Sequence, residues 1–188
     1  EKSVQLLEPD VANLNRVFAK YPPTLDEKGW VYGVWFCFTA WKAGKAKLYG
    51  EYPPTFLKRA LALFPTVPDD RILHCPSGTL QGPGMTVDVV SDDIRRPRLV
   101  ACASNIPLRD GSFDLILSDP PYSDEDSKKY GTGHFPLMGW LKEAHRLLRP
   151  GGVLGLLHLW MPSVGAKDWK MRGAVAVMPG YCKKVRVW

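Results

Sequence analysis

From residue 71 onward the chain repeats one pattern: a short apolar run, a loop, another short apolar run. The runs are RILHC (71–75), MTVDVV (85–90), RLVAC (98–102), FDLILSD (113–119) and GVLGLLHLW (152–160). Four of them are continuous rather than alternating, which is how strands buried on both faces of a parallel sheet read. Between the last two lies an amphipathic stretch, Leu137 to Leu148, with Leu141, Ala144, His145 and Leu148 on one side and Arg149-Pro150-Gly151-Gly152 as a helix-stop signal. The tail AVAVMPGYCKKVRVW (174–188) reads as two strands joined at Pro179-Gly180. Strands alternating with helices and then a hairpin predict an open α/β sheet. Only about ten residues separate RILHC from MTVDVV, near the minimum for a parallel crossover, so the helices between the early strands are expected to shrink to single turns.

Upstream, DVANLNRVFAK (10–20) has Val11, Leu14, Val17 and Phe18 at helical spacing. Trp30 to Trp41 is rich in aromatic residues and suits one or two strands. Pro53-Pro54-Thr55 followed by FLKRALALF predicts a capped helix with Leu57, Ala60, Leu61 and Phe64 inward. A chain of 188 residues with 45% hydrophobic content supports one substantial core. Its formal charge of +6 favours an acidic partner such as nucleic acid. Cys37, Cys75, Cys102 and Cys182 form no C-x-x-C pair, which argues against a zinc site or a disulfide framework and for reduced thiols in a cytoplasmic protein. No metal site and no membrane association are expected, and the sequence leaves the oligomeric state open.

The sharpest chemical signal is Asp119-Pro120-Pro121-Tyr122, directly after FDLILSD. Ligands in open α/β sheets sit outside the carboxyl ends of the strands. An aromatic amine is a poor nucleophile because its lone pair is delocalised into the ring. The Asp119 carboxylate and the Pro120 carbonyl can accept from such an NH2 and favour a pyramidal nitrogen. Pro121 stiffens the loop and removes a competing N–H, and Tyr122 offers a face on which an extruded base can stack. The bland alternative is a proline-rich turn with Tyr122 covering the core.

NIPLRDGSFDLILSDPPY (105–122), followed by LLRPGGVL (147–154), resembles the class I S-adenosylmethionine-dependent methyltransferases. The D-P-P-Y motif is similar to that of the amino-methyltransferases acting on adenine N6 or cytosine N4. The likeness spans about residues 49–188. It implies a Rossmann-like sheet of seven strands with an antiparallel terminal hairpin, formed by residues 49–188, with residues 1–48 as an N-terminal extension packed on or near it. The implied cofactor is S-adenosyl-L-methionine. Carried over by position, Ser77 and Gly78 fall in the glycine loop with His74, Cys75 and Pro76 before them. Asp88 would accept from the ribose hydroxyls, Cys102 and Ala103 would flank the adenine, and Asp119 would sit beside the methyl group. Pro54, Thr55 and Phe56 resemble the segment that closes over the methionine end. Pro76 stands where a glycine is usual, and Cys102 where an acid is common, so adenine recognition would rest more on backbone groups.

Tyr130, His134, His158 and Trp160 are candidate substrate contacts, the first two in a glycine-bearing loop that reads as a lid. Each has a bland alternative, a solvated loop or a satisfied core side chain. The aromatic stretch with Trp30, Tyr32, Trp35, Phe36, Phe38 and Trp41 reads as sheet packing, with base stacking as the alternative. Lys42, Lys45 and Lys47, Arg95, Arg96 and Arg98, and Lys183, Lys184 and Arg186 are candidate phosphate contacts wherever they converge on the D-P-P-Y edge. The expected reaction is methyl transfer to adenine N6 in DNA, with recognition supplied by the N-terminal segment or a partner protein. A guanine N2 or adenine N6 amine in RNA is the alternative, and an inactive module that keeps the fold is the second.

Overall fold

The computed structural model describes residues 4–37, 51–179 and 186–187. Phe38, Trp41, Lys42, Lys45, Lys47, Gly180, Cys182, Lys183 and Lys184, named above, lie outside them. The first elements are helix α1 (Val11–Val17), strands β1 (Leu25–Glu27) and β2 (Trp30–Cys37), and helix α2 (Phe56–Leu63). Then come β3 (Ile72–His74), β4 (Met85–Asp88), β5 (Leu99–Val100), β6 (Phe113–Ser118), α3 (Asp124–Lys129), α4 (Leu137–Leu147), β7 (Leu148–Leu156), β8 (Gly173–Pro179) and β9 (Arg186–Val187).

Contacts divide the chain into two units. The first holds the described parts of Glu1–Leu7, Ala46–Glu51 and Val67–Leu156, and the second those of Glu8–Lys45, Tyr52–Thr66 and Leu157–Trp188. The second unit is assembled from three stretches of chain, including the last. The described strands also do not make one sheet of seven. They make a five-stranded sheet in the first unit and a four-stranded one in the second.

In the first unit every strand pairing is parallel and the order is β5-β4-β3-β6-β7. The chain winds outward from β3 to β5 and then resumes on the other side of β3 with β6. Leu73, Leu115, Ile116 and Leu117 are fully buried, as continuous apolar strands in the middle of such a sheet must be. No helix separates β3, β4, β5 or β6, so the short-crossover expectation holds. Gly84 shows how tight the first crossover is: it sits at φ +94°, and a Cβ there would lie 2.8 Å from the Ile72 carbonyl oxygen. Helix α4 buries Trp140, Leu141, Glu143, Ala144 and Leu147, whereas His145, expected on that side, is exposed. The Arg-Pro-Gly-Gly stretch does not follow a helix as a loop; β7 already runs through it. Pro150 is tolerated because β7 is an edge strand and its register against β6 shifts between Phe113 and Leu115.

In the second unit the order is β1-β2-β8-β9. β8 and β9 pair antiparallel, as the hairpin reading expects, but the other neighbour of β8 is β2, in parallel register from Val31↔Gly173 to Cys37↔Pro179. Glycine is required at 173, where a Cβ would lie 2.1 Å from the Val31 carbonyl oxygen. The sheet buries Val31, Trp35, Val175 and Val177. Asp10 caps α1 by accepting from Asn13 N at 2.8 Å. Helix α2 turns inward Phe56, Arg59, Ala60 and Leu63; of the expected stripe Ala60 and Phe64 are buried, and Leu57 and Leu61 are half-buried.

Candidate functional site

The order β5-β4-β3-β6-β7 has its reversal between β3 and β6, and the carboxyl ends of those two strands are where a crevice opens in such a sheet. A cavity of about 240 Å³ lies at this end, lined entirely by the first unit. Each wall is the exit of one strand. Cys75, Pro76 and Gly78 follow β3, Asp88 and Val89 end β4, and Ala101, Cys102 and Ala103 follow β5. Asp119 and Pro121 follow β6, and the segment from Tyr130 to Pro136 closes the remaining side.

The β3 and β6 exits are fastened to each other from within. Cys75 N donates to Leu117 O at 3.3 Å, and Ser118 Oγ donates to Cys75 O at 2.6 Å. Trp140 Nε1 in turn donates to Ser118 Oγ at 3.0 Å. All three side chains are buried, so the spacing between the loop after β3 and the D-P-P-Y loop is set by a solvent-free relay. Burial also pushes the Cys75 thiol well above its usual pKa, which fits an inert packing residue.

In the loop after β3, Gly78 adopts φ +53° and its N–H donates to Asp88 Oδ2 at 2.9 Å. Val90 N donates to Asp88 Oδ1 at 3.2 Å. The Asp88 carboxylate therefore shapes the β3 loop as well as lining the cavity. Ser77 N donates to Val87 O at 2.9 Å, while Ser77 Oγ is buried without a hydrogen-bond partner. Cys102 is exposed into the cavity, 3.3 Å from Ser104 Oγ, and hydrogen bonding from Ser104 holds its thiol below the usual pKa. The loop beyond it is pinned by Glu143, which accepts from Ile106 N at 2.7 Å, and by Arg146, which donates to the carbonyls of Ile106 and Leu108 at 2.9 and 2.8 Å.

The D-P-P-Y loop differs from its expected form at two positions. Pro120 is buried, and the cavity wall is made by Asp119 and Pro121. Tyr122 does not line the cavity; it is half-buried, and its hydroxyl donates to Asp119 Oδ1. What followed in sequence as a lid is partly helical. Ser123 caps α3 by accepting from Asp126 N at 3.1 Å, with three acids in the first turn and two lysines in the last. The segment after α3 brings Tyr130 and His134 to the cavity. Three tethers hold it: Arg95 Nη1 donates to Tyr130 O at 2.6 Å, Thr132 Oγ1 donates to Ser127 O at 3.0 Å, and His134 Nδ1 meets Asp124 Oδ1 at 2.6 Å. The same Arg95 grips Asp92 through Nε and Nη2 at 2.8 and 2.6 Å, which pulls the Asp92 carboxyl down to about 2.

The cavity thus gathers Cys75, Pro76, Gly78, Asp88, Cys102, Ala103, Asp119, Pro121, Tyr130 and His134 from the sequence-predicted set. It does not include Ser77, which is buried in the loop after β3, or His74, which is fully buried within β3. Burial lowers its imidazole to about 4. Pro54, Thr55 and Phe56 belong to the second unit, at the start of α2, where Phe56 is fully buried. His158 and Trp160 are there too. His158 is buried, bridges Val187 and packs edgewise against Trp160, with ring centroids 4.7 Å apart. Of the lining residues that the sequence did not assign to a pocket, Arg95 had a usable signal. Asp92 three residues before it marks a turn in which both backbone and side chain are bonded.

Among the described residues no group of three or more His, Cys, Asp or Glu side chains is placed to hold a metal ion, and no helix is long and apolar enough to cross a membrane. No protein-family model and no curated protein matches the chain.

Proposed function

We propose that the chain is a Rossmann-like, S-adenosylmethionine-dependent methyltransferase acting on an exocyclic amine of a nucleobase, with adenine N6 in DNA as the first candidate acceptor. The observation that carries this reading is the cavity at the β3/β6 reversal, where the acidic member of D-P-P-Y stands across from the loop of Gly78 and Asp88. The residues present fit the cofactor. Asp88 offers a carboxylate to ribose hydroxyls, and Pro76, Val89, Ala101 and Ala103 offer apolar walls to a purine. When bound, the cofactor supplies a methyl carbon already activated by its positive sulfur. Asp119 accepts a hydrogen bond from the target NH2 and so localises the nitrogen lone pair toward that carbon. Asp119, or water, would take the proton that the amine sheds on methylation. Holding the two reacting atoms in line supplies most of the acceleration. A polyanionic substrate is supported by the second unit, whose formal charge is +8 from 13 Lys and Arg against 5 Asp and Glu.

The test is calorimetric titration with S-adenosylhomocysteine, followed by incubation with methyl-tritiated cofactor and separate DNA and RNA pools. Nucleoside analysis of the labelled product then names the base and the polymer. A chain that binds neither form of the cofactor is not this enzyme.

A further inference from the structure

The D-P-P-Y loop is stiff for a covalent reason: two consecutive prolines fix φ near −65° at both central positions and force the residue before them into an extended conformation. The side chains at its two ends then meet in a fixed way, with the Tyr122 hydroxyl on Asp119 Oδ1. Asp119 lines the cavity and Tyr122 does not. A carboxylate on a loop ordinarily swings about its terminal torsion, which is broad and only two-fold. A hydrogen bond from a phenol to an ionised carboxylate is among the stronger ones available and sets that torsion. We propose that Tyr122 is a positioning residue that acts through its hydroxyl, holding the Asp119 carboxylate at the angle in which it meets an exocyclic amine, rather than through the stacking face of its ring. The proposal rests on the reading of the cavity as an amino-methyltransferase site and adds to it how the amine is selected: by an acceptor held still.

The two roles separate cleanly by substitution. Tyr122→Phe keeps the ring and removes the hydroxyl, whereas Tyr122→Leu removes both. With S-adenosylhomocysteine saturating, saturation-transfer NMR measures affinity for deoxyadenosine, deoxycytidine and deoxyguanosine against thymidine, which has no exocyclic amine. The natural chain is expected to prefer one amine-bearing nucleoside. Tyr122→Phe is expected to cut that preference about tenfold, the loss of one hydrogen bond to a charged group, and Tyr122→Leu to cut it no further. In an Asp119→Ala background the Phe change is expected to have no effect on the preference, because the proposed route runs through Asp119. Unchanged homocysteine-cofactor affinity and urea midpoint show that each variant is folded. A Tyr122→Phe chain that keeps the preference while Tyr122→Leu loses it overturns the proposal in favour of ring stacking. Cofactor binding without any preference for an amine overturns it as well, and failure to bind the cofactor at all removes the underlying reading instead.

Discussion

The unit built on the parallel sheet carries 12 Lys and Arg against 14 Asp and Glu, whereas the unit built on the mixed sheet carries 13 against 5. The cavity and its two acids, Asp88 and Asp119, belong to the formally acidic unit, and the whole basic excess belongs to the other. The difference teaches that a single net charge of +6 hides an uneven distribution of charge. Under the proposed reading, an acidic pocket would favour a sulfonium cofactor and a basic unit a nucleic acid, so the two demands would fall on different parts of the chain. Arg95 illustrates the point from the other side. It is a basic residue at the cavity, yet its guanidinium is spent on Asp92 and the Tyr130 carbonyl, as a strut between two loops.

The contrast is broken most directly at Asp119. Asp119→Ala is expected to lower methyl transfer by about 1,000-fold, at the upper end for losing a preorganised polar group, with little change in S-adenosylhomocysteine affinity. Trp160→Ala, in the other unit, is expected to leave that affinity unchanged, and a large loss there moves the cofactor site out of the acidic unit. Next in size is the acid sensitivity of His74. Its folded-state pKa of about 4 lies below the unfolded value of 6.5, so the unfolded chain binds the proton first as pH falls. Stability drops from pH 6.5 down to about 4 and by about 3 kcal/mol in all, read from urea midpoints across that range. His74→Leu flattens that part of the curve.

Arg146→Ala comes third, costing about 2 kcal/mol, less than a fully buried pair because the guanidinium is one-third exposed. Arg146 hydrogen bonding holds the Glu143 carboxyl below its usual pKa. Its contribution is therefore present above the unfolded pKa and lost as pH falls through the lowered folded one; the variant should lose that acid limb. The smallest effect is expected from Lys167→Glu with Lys170→Glu, both exposed in the basic unit. Any DNA affinity should fall a few-fold and its salt slope by roughly one per phosphate contact removed. An equal loss from Arg96→Glu in the acidic unit breaks the proposed division.

Much of the acidic unit was legible in the sequence because its determinants are local. Ile72–His74, Leu115–Leu117 and their relatives are apolar runs that only a buried strand accommodates, and the motif at Asp119 follows its strand directly. Three things were not legible. Pairing of Val31–Cys37 with Gly173–Pro179 joins strands about 140 residues apart, and nothing in either run names the other. The inward stripe of α2 was only half legible: Ala60 and Phe64 are buried as expected, but so is Arg59, whose guanidinium lies 4.1 and 4.5 Å from the Phe18 and Tyr21 ring centroids, and a charged residue does not read as core. At Tyr122 the aromatic type suggested a stacking face, while the bonded group is the hydroxyl at its tip.

That distant pairing has a consequence for how the protein is born. All five parallel strands have been synthesised by residue 156, before β8 begins at Gly173, and each neighbours a strand nearer to it in the chain than β2 is to β8. β2 emerges early but meets its partner β8 only some 140 residues later. Until then the β2 edge that β8 will pair with stays open, so the strands of the acidic unit have all been made while the basic unit still lacks its central pairing.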